Sequence, residues 1–213
     1  MKSGEVIKYY FLLTLLGLSL LSKAQLNYHK NTIYWGLGSY MISQENKIST
    51  SSEYGAIKEF RLALDVFYNR LVWKGFGIGV GYSFKNADPN AHLTTGELIS
   101  CTEQSHSMLL SVNYKFSLKN FSLTPYFSTG PAYVRFLFPD TYPTSYKTDY
   151  ESVIMISPGV RFGYEINRLL FFVSYNYDYY KLSPKINIAV IGTWTFPDEF
   201  AHHCFKAGLG WSF

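Results

Sequence analysis

The candidates for acid–base chemistry are four of the five histidines of this chain, those in or beside its long connecting segments, because an imidazole exchanges its proton near neutral pH. They are His92, His106, His202 and His203. Catalysis would also need a nucleophile within hydrogen-bond reach of the base, and a metal site would need ligands that converge on one point. His202 and His203 are adjacent, so on a strand they would point to opposite faces, which argues against joint chelation. We predict that these histidines are solvent-exposed and that the chain has no catalytic, cofactor-binding or metal site.

Charged side chains form a second set, because they recur at alternate positions of segments that otherwise carry small residues on the same face. They are Glu59, Arg61, Asp65, Lys115, Arg161, Glu165, Asp178 and Lys206. The set is balanced in sign, so in a confined interior each charge has a counter-charge available, whereas an isolated buried charge would be costly. We interpret the set as a salt-bridge network that fills a narrow interior. An ion-selective pore, the alternative, would more commonly carry charges of one sign.

Strands must position these residues, since apolar residues alternate with small or polar ones along most of the chain. The clearest example runs from Gly75 to Phe84, where glycine or serine alternates with large apolar residues. Helical periodicity does not produce this pattern. Pro125 and Pro131 interrupt one segment and predict a bulge or a missing ladder bond there. The alternating segments span residues 33–38, 59–68, 75–84, 108–116, 121–135, 156–166, 169–178 and 205–213.

The volume of the apolar side chains decides which face points inward. Aromatic residues make up 19% of the chain, with 19 Tyr and 17 Phe. The interior of an eight-stranded barrel is just wide enough for side chains to fill it, so this large apolar set does not fit there, whereas glycines, serines and a few charges do. The apolar set must therefore face lipid. The sequence predicts an all-β fold, an eight-stranded antiparallel up-and-down transmembrane β-barrel with a charged, largely closed lumen.

The connections between the segments alternate in length. Residues 69–74, 117–120 and 167–168 are short links, whereas 43–53, 85–104, 137–151 and 182–202 are long. With an even number of strands, this alternation puts both termini on the short-link side, which is periplasmic in outer-membrane barrels, and leaves the long loops extracellular. Loop 182–202 is unusually apolar, so it either extends two strands beyond the membrane or contacts a surface partner. Its apolar residues are Ile186, Ile188, Val190, Ile191, Trp194 and Phe196.

The N-terminal segment has the layout of a secretory signal peptide. Lys2 and Lys8 precede an apolar run over residues 9–21, and Ser22 and Ala24 provide a small-x-small site. The run is shorter than the roughly 20 residues that a spanning helix needs. We therefore expect cleavage after Ala24, so that residues 1–24 are the signal peptide and residues 25–213 form the outer-membrane β-barrel domain.

Two further features limit the chemistry and the partners. Cys101 and Cys204 are the two cysteines, and export would permit their oxidation. Two cysteines give no spacing pattern, so a disulfide and two unpaired thiols both remain open. The formal net charge of +4 is mild, and no basic stripe or aromatic–basic motif accompanies it, so nucleic acid is not an expected partner.

The C-terminal residues carry a resemblance to a known class of proteins. Ala207-Gly208-Leu209-Gly210-Trp211-Ser212-Phe213 alternates apolar and small residues and ends in phenylalanine. Together with the pattern of residues 30–213, this tail resembles the small Gram-negative outer-membrane β-barrels of the outer-membrane protein A and X type, including the PorT-like barrels. The resemblance implies insertion in the outer membrane among lipid and lipopolysaccharide. It also implies that the barrel-assembly machinery recognises Leu209, Trp211 and Phe213.

The resemblance does not define a function, because such barrels include structural anchors, adhesins, enzymes and secretion accessories. Lipid A deacylases are also eight-stranded, but they carry His and Ser two residues apart on one strand face. Here Met108 stands two residues after His106, while Ser105 and Ser107 would face the other way. We predict a non-enzymatic barrel with a structural or surface-interaction role and no cofactor. A small pore for ions or solutes and a lipopolysaccharide-modifying enzyme are the alternatives, and the long loops could bind a surface partner.

Overall fold

The computed structural model describes residues 30–43, 61–87, 90–92, 98–100, 102–137, 151–181 and 199–213. The predicted signal peptide at residues 1–24 lies outside these ranges. Among the described residues, no helix is long and apolar enough to cross a membrane. The strands in these ranges are β1 (Asn31–Ser43), β2 (Leu62–Trp73), β3 (Phe76–Ala87), β4 (Asn90–His92), β5 (Leu98–Ser100), β6 (Thr102–Tyr114), β7 (Phe116–Leu118), β8 (Phe121–Leu137), β9 (Glu151–Ile166), β10 (Leu169–Lys181) and β11 (Glu199–Ser212).

The long strands form one closed barrel. Neighbouring strands pair in the order β6-β3-β2-β1-β11-β10-β9-β8, and β8 pairs back with β6, all antiparallel. β7 continues the line of β6 after a break at Lys115, and both strands pair with β8, so together they occupy one position in the wall. The predicted eight-stranded antiparallel barrel is thereby confirmed. β4 and β5 form a separate two-stranded sheet, in a segment that was predicted to be loop.

The first and last strands close the barrel. β1 pairs with β11 from Thr32 opposite Ser212 to Ser43 opposite Ala201. At the rim that carries the short turns, Asn31 and Phe213 exchange two backbone hydrogen bonds of 3.0 and 2.8 Å. A closed barrel has no strand edge, so backbone polar groups along this seam find partners without water.

Side chains alternate between the two faces of the barrel wall. Large apolar side chains on the outside are well exposed, as Trp35 (48%), Leu110 (66%) and Val173 (56%) illustrate. Ser107 and Ser111, on the same strand as Leu110, point inward and are buried. This distribution is the inverse of that in a soluble protein and is typical of a barrel surrounded by lipid. The apolar set therefore has the outward phase that its volume predicts.

The first short link is tighter than predicted. β2 runs on to Trp73, so the link predicted at residues 69–74 is a two-residue turn of Lys74 and Gly75. Both have positive φ, 35° and 88°, which a type I′ hairpin turn requires and which glycine adopts without strain. Asparagine disfavours strands in general, but here Asn113 Nδ2 donates to Asn69 Oδ1 at 2.6 Å inside the barrel. The prediction therefore ended β2 too early.

The other two short links are also two-residue turns. The link predicted at residues 117–120 contracts to Lys119 and Asn120, because β7 extends to Leu118. The link at Asn167 and Arg168 is as predicted. Lys119 and Asn167 take positive φ values of 54° and 57°. Each of the three turns is therefore two residues long, so every turn residue directly adjoins a strand residue of the barrel wall.

On the opposite rim, three strands extend by three or four residues into the predicted loops, namely over residues 85–87, 102–104 and 199–202. Beyond the apolar belt the outward side chains become polar, so apolar alternation marks these strand ends too early. Arg135 of β8, for example, donates to Gln104 of β6 at 2.5 and 2.9 Å on the outer face. Residues 182–198 lie outside the described part, so both interpretations of that apolar loop remain predictions.

The two prolines lie where the sequence predicts a local break in β8. Pro125 and Pro131 both point outward and are exposed. The ladder between β8 and β6 skips Met108 and Leu109, which lie opposite Pro131 and its neighbour. A proline has no amide hydrogen to donate, so the ladder between β8 and β6 lacks a hydrogen bond at Pro131.

Candidate functional site in the barrel interior

Polar side chains from different strands meet inside the barrel at several levels. At the short-turn rim, Lys115 Nζ lies 2.7 Å from Glu165 Oε2 and joins the end of β6 to β9. These two side chains are partly exposed, at 13% and 20%. The paired amides of Asn69 and Asn113 are buried beside this level. An ion pair and an amide pair therefore fill the opening at the short-turn rim.

The central level combines an ion pair with a stacked cation. Lys206 of β11 pairs with Asp65 of β2. The guanidinium carbon of Arg161 lies 3.6 Å from the centre of the Tyr34 ring and 5.1 Å from that of Phe172. This is a cation–π arrangement, in which the faces of the aromatic rings attract the positive charge. An ion pair, a guanidinium and aromatic rings thus occupy the middle of the barrel.

A third level, toward the long-loop rim, centres on the carboxylate of Asp178. It pairs with Lys85 of β3, and these two side chains are 2% and 1% exposed. Asn176 donates to Oδ1 at 2.5 Å, and the thiol of Cys204 donates to Oδ2 at 3.3 Å. The Asp178 carboxylate therefore accepts hydrogen bonds from side chains of β3, β10 and β11. These contacts offset part of the large cost of burying its charge.

The level at the long-loop rim is a hydrogen-bonded group of Glu103, His202 and Tyr180. Glu103 Oε2 lies 3.2 Å from His202 Nε2, and the Tyr180 hydroxyl donates to Glu103 Oε1. Tyr40 meets the His202 ring edge-on with ring centroids 4.9 Å apart, and Phe200 stacks on Tyr180 at 5.3 Å. All of these side chains are buried. Aromatic packing therefore surrounds the polar contacts at this rim.

The cavity that the structure describes between the central level and the level of Asp178 is small. The cavity bordered by Asp65, Arg161, Asp178 and Lys206 has a volume of about 20 Å³. That volume holds about one water molecule, and a continuous aqueous path would need far more. Within the described residues, the middle of the barrel is therefore a packed core of polar and aromatic side chains.

Four of the charges predicted to face the interior meet each other there. They form two pairs, Asp65 with Lys206 and Lys115 with Glu165. Each pair bridges strands that are not neighbours in the barrel wall. The contacts therefore run across the interior.

The other four predicted charges do not form ion pairs with one another in the described structure. Asp178 pairs with Lys85, which the predicted set does not contain. Arg161 stacks on aromatic rings. Arg61 directly precedes β2, and Glu59 lies outside the described residues.

Lys85 and Glu103 are interior residues that the apolar alternation in the sequence does not indicate. Large apolar residues do not alternate between Phe84 and Met108, so the pattern predicts a loop for both residues. The inner face, however, keeps its period of two in β3, where Gly81, Ser83 and Lys85 follow one another. Extending the inner-face period beyond the apolar belt would have located Lys85, and Glu103 by the same rule from Ser105 and Ser107.

His202 corrects the prediction that the histidines are solvent-exposed. Its side chain is fully buried against Glu103, because β11 begins at Glu199 and carries it inside the barrel. His203 points outward, because neighbouring residues on a strand face opposite sides. The Tyr175 hydroxyl lies 2.7 Å from the Nδ1 of His203.

The other two of the four candidate histidines lie on strands of the long-loop half. His106 is on the outer face of β6, with its Nδ1 2.5 Å from the Tyr82 hydroxyl. His92 belongs to β4. In the part of the chain that the structure describes, no group of three or more His, Cys, Asp or Glu residues is arranged to hold a metal ion.

Cys204 does not form a disulfide in this structure. It is a free, buried thiol whose Sγ donates to Asp178. The bridge to Cys101 that the sequence left open is therefore not formed, and Cys101 itself lies outside the described residues.

The buried position of Cys204 predicts its reactivity. In a Cys101→Ala variant, the folded barrel is expected to resist labelling by a maleimide for hours and to label fully after unfolding in urea and heat, because the thiol has no solvent access. Mass spectrometry of the intact protein measures the labelled fraction. Rapid labelling of the folded variant would mean that the third interior level is open to water.

Leu209, Trp211 and Phe213, the predicted assembly signal, lie on the outer face at the end of the chain. They are 37%, 48% and 48% exposed. Trp211 pairs with Ile33 of β1 and with Leu169 of β10, so the closing strand adds an apolar outer face near the short-turn rim. Their recognition by the barrel-assembly machinery stays a prediction.

No family model matches the sequence, and no curated protein matches it. Solved structures do match. The attachment invasion locus protein Ail of Yersinia pestis is 11% identical, with a TM-score of 0.51 over 88% of this chain and 100% of that one. A second structure of Ail, in complex with the heparin analogue sucrose octasulfate, gives the same values. A major outer membrane protein from Thermus thermophilus is 16% identical, with a TM-score of 0.57 over 86% of this chain and 98% of that one. The chain therefore has the fold of these small outer-membrane β-barrels.

Proposed function

We propose that this chain is a non-enzymatic outer-membrane barrel with a structural or surface-interaction role, whose lumen is closed by its own charged side chains. The observation that carries the proposal is the combination of an apolar exterior with an interior cavity of about 20 Å³. An exterior of this kind would be unstable in water, since soluble proteins rarely expose large contiguous apolar surface. An interior of this kind blocks transport, so the barrel wall and its loops carry the function.

The ion pairs support a closed lumen over the pore alternative. Lys85 joins β3 to Asp178 of β10, and Lys206 joins β11 to Asp65 of β2. A conducting state would have to separate these charges inside a narrow lumen, and breaking a buried ion pair is strongly unfavourable. These two pairs also do not form a ring of charges of one sign, which is the arrangement that an ion-selective pore would use.

The geometry of the outer face disfavours a lipopolysaccharide-modifying enzyme. His106 is the histidine that a deacylase-like arrangement would use, and its Nδ1 contacts the Tyr82 hydroxyl. The flanking Ser105 and Ser107 are buried on the opposite face of the same strand. A nucleophile must lie within hydrogen-bond reach of its base, and these serines point away from it.

The orientation that accompanies this function places the short turns in the periplasm and the long connections outside the cell. Lipid and lipopolysaccharide would then surround the apolar belt, and the long loops would be available to a surface partner. The barrel-assembly machinery would engage the closing strand through Leu209, Trp211 and Phe213.

Cell fractionation and electrophoresis test this proposal together. The chain is expected in the outer-membrane fraction, and an unboiled sample is expected to migrate faster than a boiled one, because a closed barrel stays compact in detergent until it is heated. Recovery in the soluble fraction, or identical migration of the two samples, would refute the proposal.

A further inference from the structure

An apolar groove lies on the outer face of the barrel near the short-turn rim. Its volume is about 570 Å³, within the roughly 300–1,000 Å³ of typical ligand sites. Leu123, Phe162, Val173 and Ala207 form one row of its lining, opposite one another on β8, β9, β10 and β11. The small side chain of Ala207 lies between Val173 of β10 and Leu37 of β1, so the wall is indented there. An indentation of this shape and chemistry suits a hydrocarbon chain.

Two exposed cations stand above this groove at the short-turn rim. Lys119 is in the turn between β7 and β8, and Arg168 is in the turn between β9 and β10. The two turns are held to the groove strands, since Glu165 N donates to Asn120 O at 2.7 Å and Ser212 N donates to Arg168 O at 2.8 Å. Lys119 precedes Phe121 in the groove lining by two residues, which is roughly 7 Å along a strand. The cations therefore lie at the level where lipid headgroups meet an apolar belt.

The short-turn rim as a whole is basic. Lys30, Arg70, Lys74, Lys119 and Arg168 are all exposed there. The acidic side chain described at this rim, Glu165, is already paired with Lys115. Basic groups at a membrane surface attract anionic lipids, and here two of them flank a groove that can take an acyl chain.

We infer that the groove and the two turn cations form a binding site for one anionic phospholipid, with the phosphate on Lys119 and Arg168 and an acyl chain against Phe162 and Ala207. This inference rests on the proposed membrane function. It adds a specific lipid site in the leaflet at the short-turn rim.

The site is tested with the full-length barrel in nanodiscs of phosphatidylcholine that contain a minority of phosphatidylglycerol. Native mass spectrometry counts the lipids that each released barrel retains. We expect preferential retention of one phosphatidylglycerol. Each basic group near an anionic lipid contributes about fivefold in affinity, so Lys119→Gln with Arg168→Gln should reduce this preference by roughly 25-fold.

Two more variants separate the groove from the general charge of the rim. Ala207→Phe fills the groove while both cations remain, so it should also abolish the preference. Lys74→Gln is the matched control, because Lys74 is an exposed turn lysine that lies beside Trp73 and outside the groove. It should retain phosphatidylglycerol like the unaltered chain.

Migration of the unboiled barrel is recorded first, so that the two proposals fail separately. A chain that does not insert in nanodiscs contradicts the membrane function and the lipid site with it. An inserted barrel that retains both lipids equally, or that loses as much preference from Lys74→Gln as from the double variant, overturns the lipid site alone.

Discussion

Lys85→Met is expected to lower the free energy of unfolding by about 3–5 kcal/mol, because it removes the counter-charge of a buried carboxylate. Lys85 and Asp178 are 1% and 2% exposed inside the barrel. Methionine preserves most of the side-chain volume but cannot pair with Asp178, so the loss reports the charge and not a cavity. Tryptophan fluorescence during urea unfolding from lipid vesicles measures the change, since Trp35 and Trp211 lie on the outer face.

Two further variants identify the source of that loss. Lys181→Met breaks an ion pair of 3.5 Å with Glu199 whose side chains are 61% and 58% exposed, and it should cost about 0–1 kcal/mol. Combining Lys85→Met with Asp178→Asn should recover most of the stability, because the uncompensated charge is gone and Asn176 keeps an acceptor. If Lys85→Met unfolds at the same urea concentration as the unaltered chain, the interior does not depend on this pair.

Gly208→Ala is expected to destabilise the closing seam by about 3 kcal/mol, at the upper end of the usual cost of overpacking. Gly208 lies opposite Gly36 of β1 and Phe172 of β10. A Cβ there would overlap the Trp35 carbonyl oxygen and would lie 2.5 Å from Phe172 Cζ. The ring can rotate, but the carbonyl belongs to the backbone of the seam and can move only if β1 separates from β11. The compact fraction on unboiled electrophoresis should fall accordingly.

Gly210→Ala is the control for this substitution, since Gly210 follows on the same face of the same strand. A Cβ there would lie 3.1 Å from Tyr34 Cβ and 3.3 Å from both the Ile33 carbonyl oxygen and Leu170 Cβ. Small shifts relieve contacts of this length, so the cost should be about 1 kcal/mol or less. Urea unfolding of the two variants side by side would contradict the seam argument if their losses were equal.

The barrel could be predicted from the sequence because its two faces have opposite composition. Segments such as Gly75 to Phe84 place every large residue on one side, and no soluble interior could hold the number of rings that result. The short links could also be located, although Asn69 and Ser117 looked like turn residues and proved to be strand residues. Period two is a property of each strand alone, so it needs no knowledge of the fold.

The interior contacts could not be predicted in the same way, because they depend on which walls face each other. Asp65 and Lys206 are 141 residues apart, and their pairing follows from the register of β2, β1 and β11 together. Lys85 and Glu103 were missed because the apolar belt ends before the strands do. The burial of His202 was missed for the same reason. This histidine is predicted to be exposed, but it lies inside the barrel against Glu103.

Single-channel recording in planar lipid bilayers tests the closed lumen most directly. For a barrel that is shown to be compact by its unboiled migration, we expect a membrane current that does not differ from that of the protein-free bilayer over the usual range of voltages. Steady unitary current steps from the same preparation would show a continuous aqueous path and would contradict a lumen closed by Asp65, Lys85, Asp178 and Lys206.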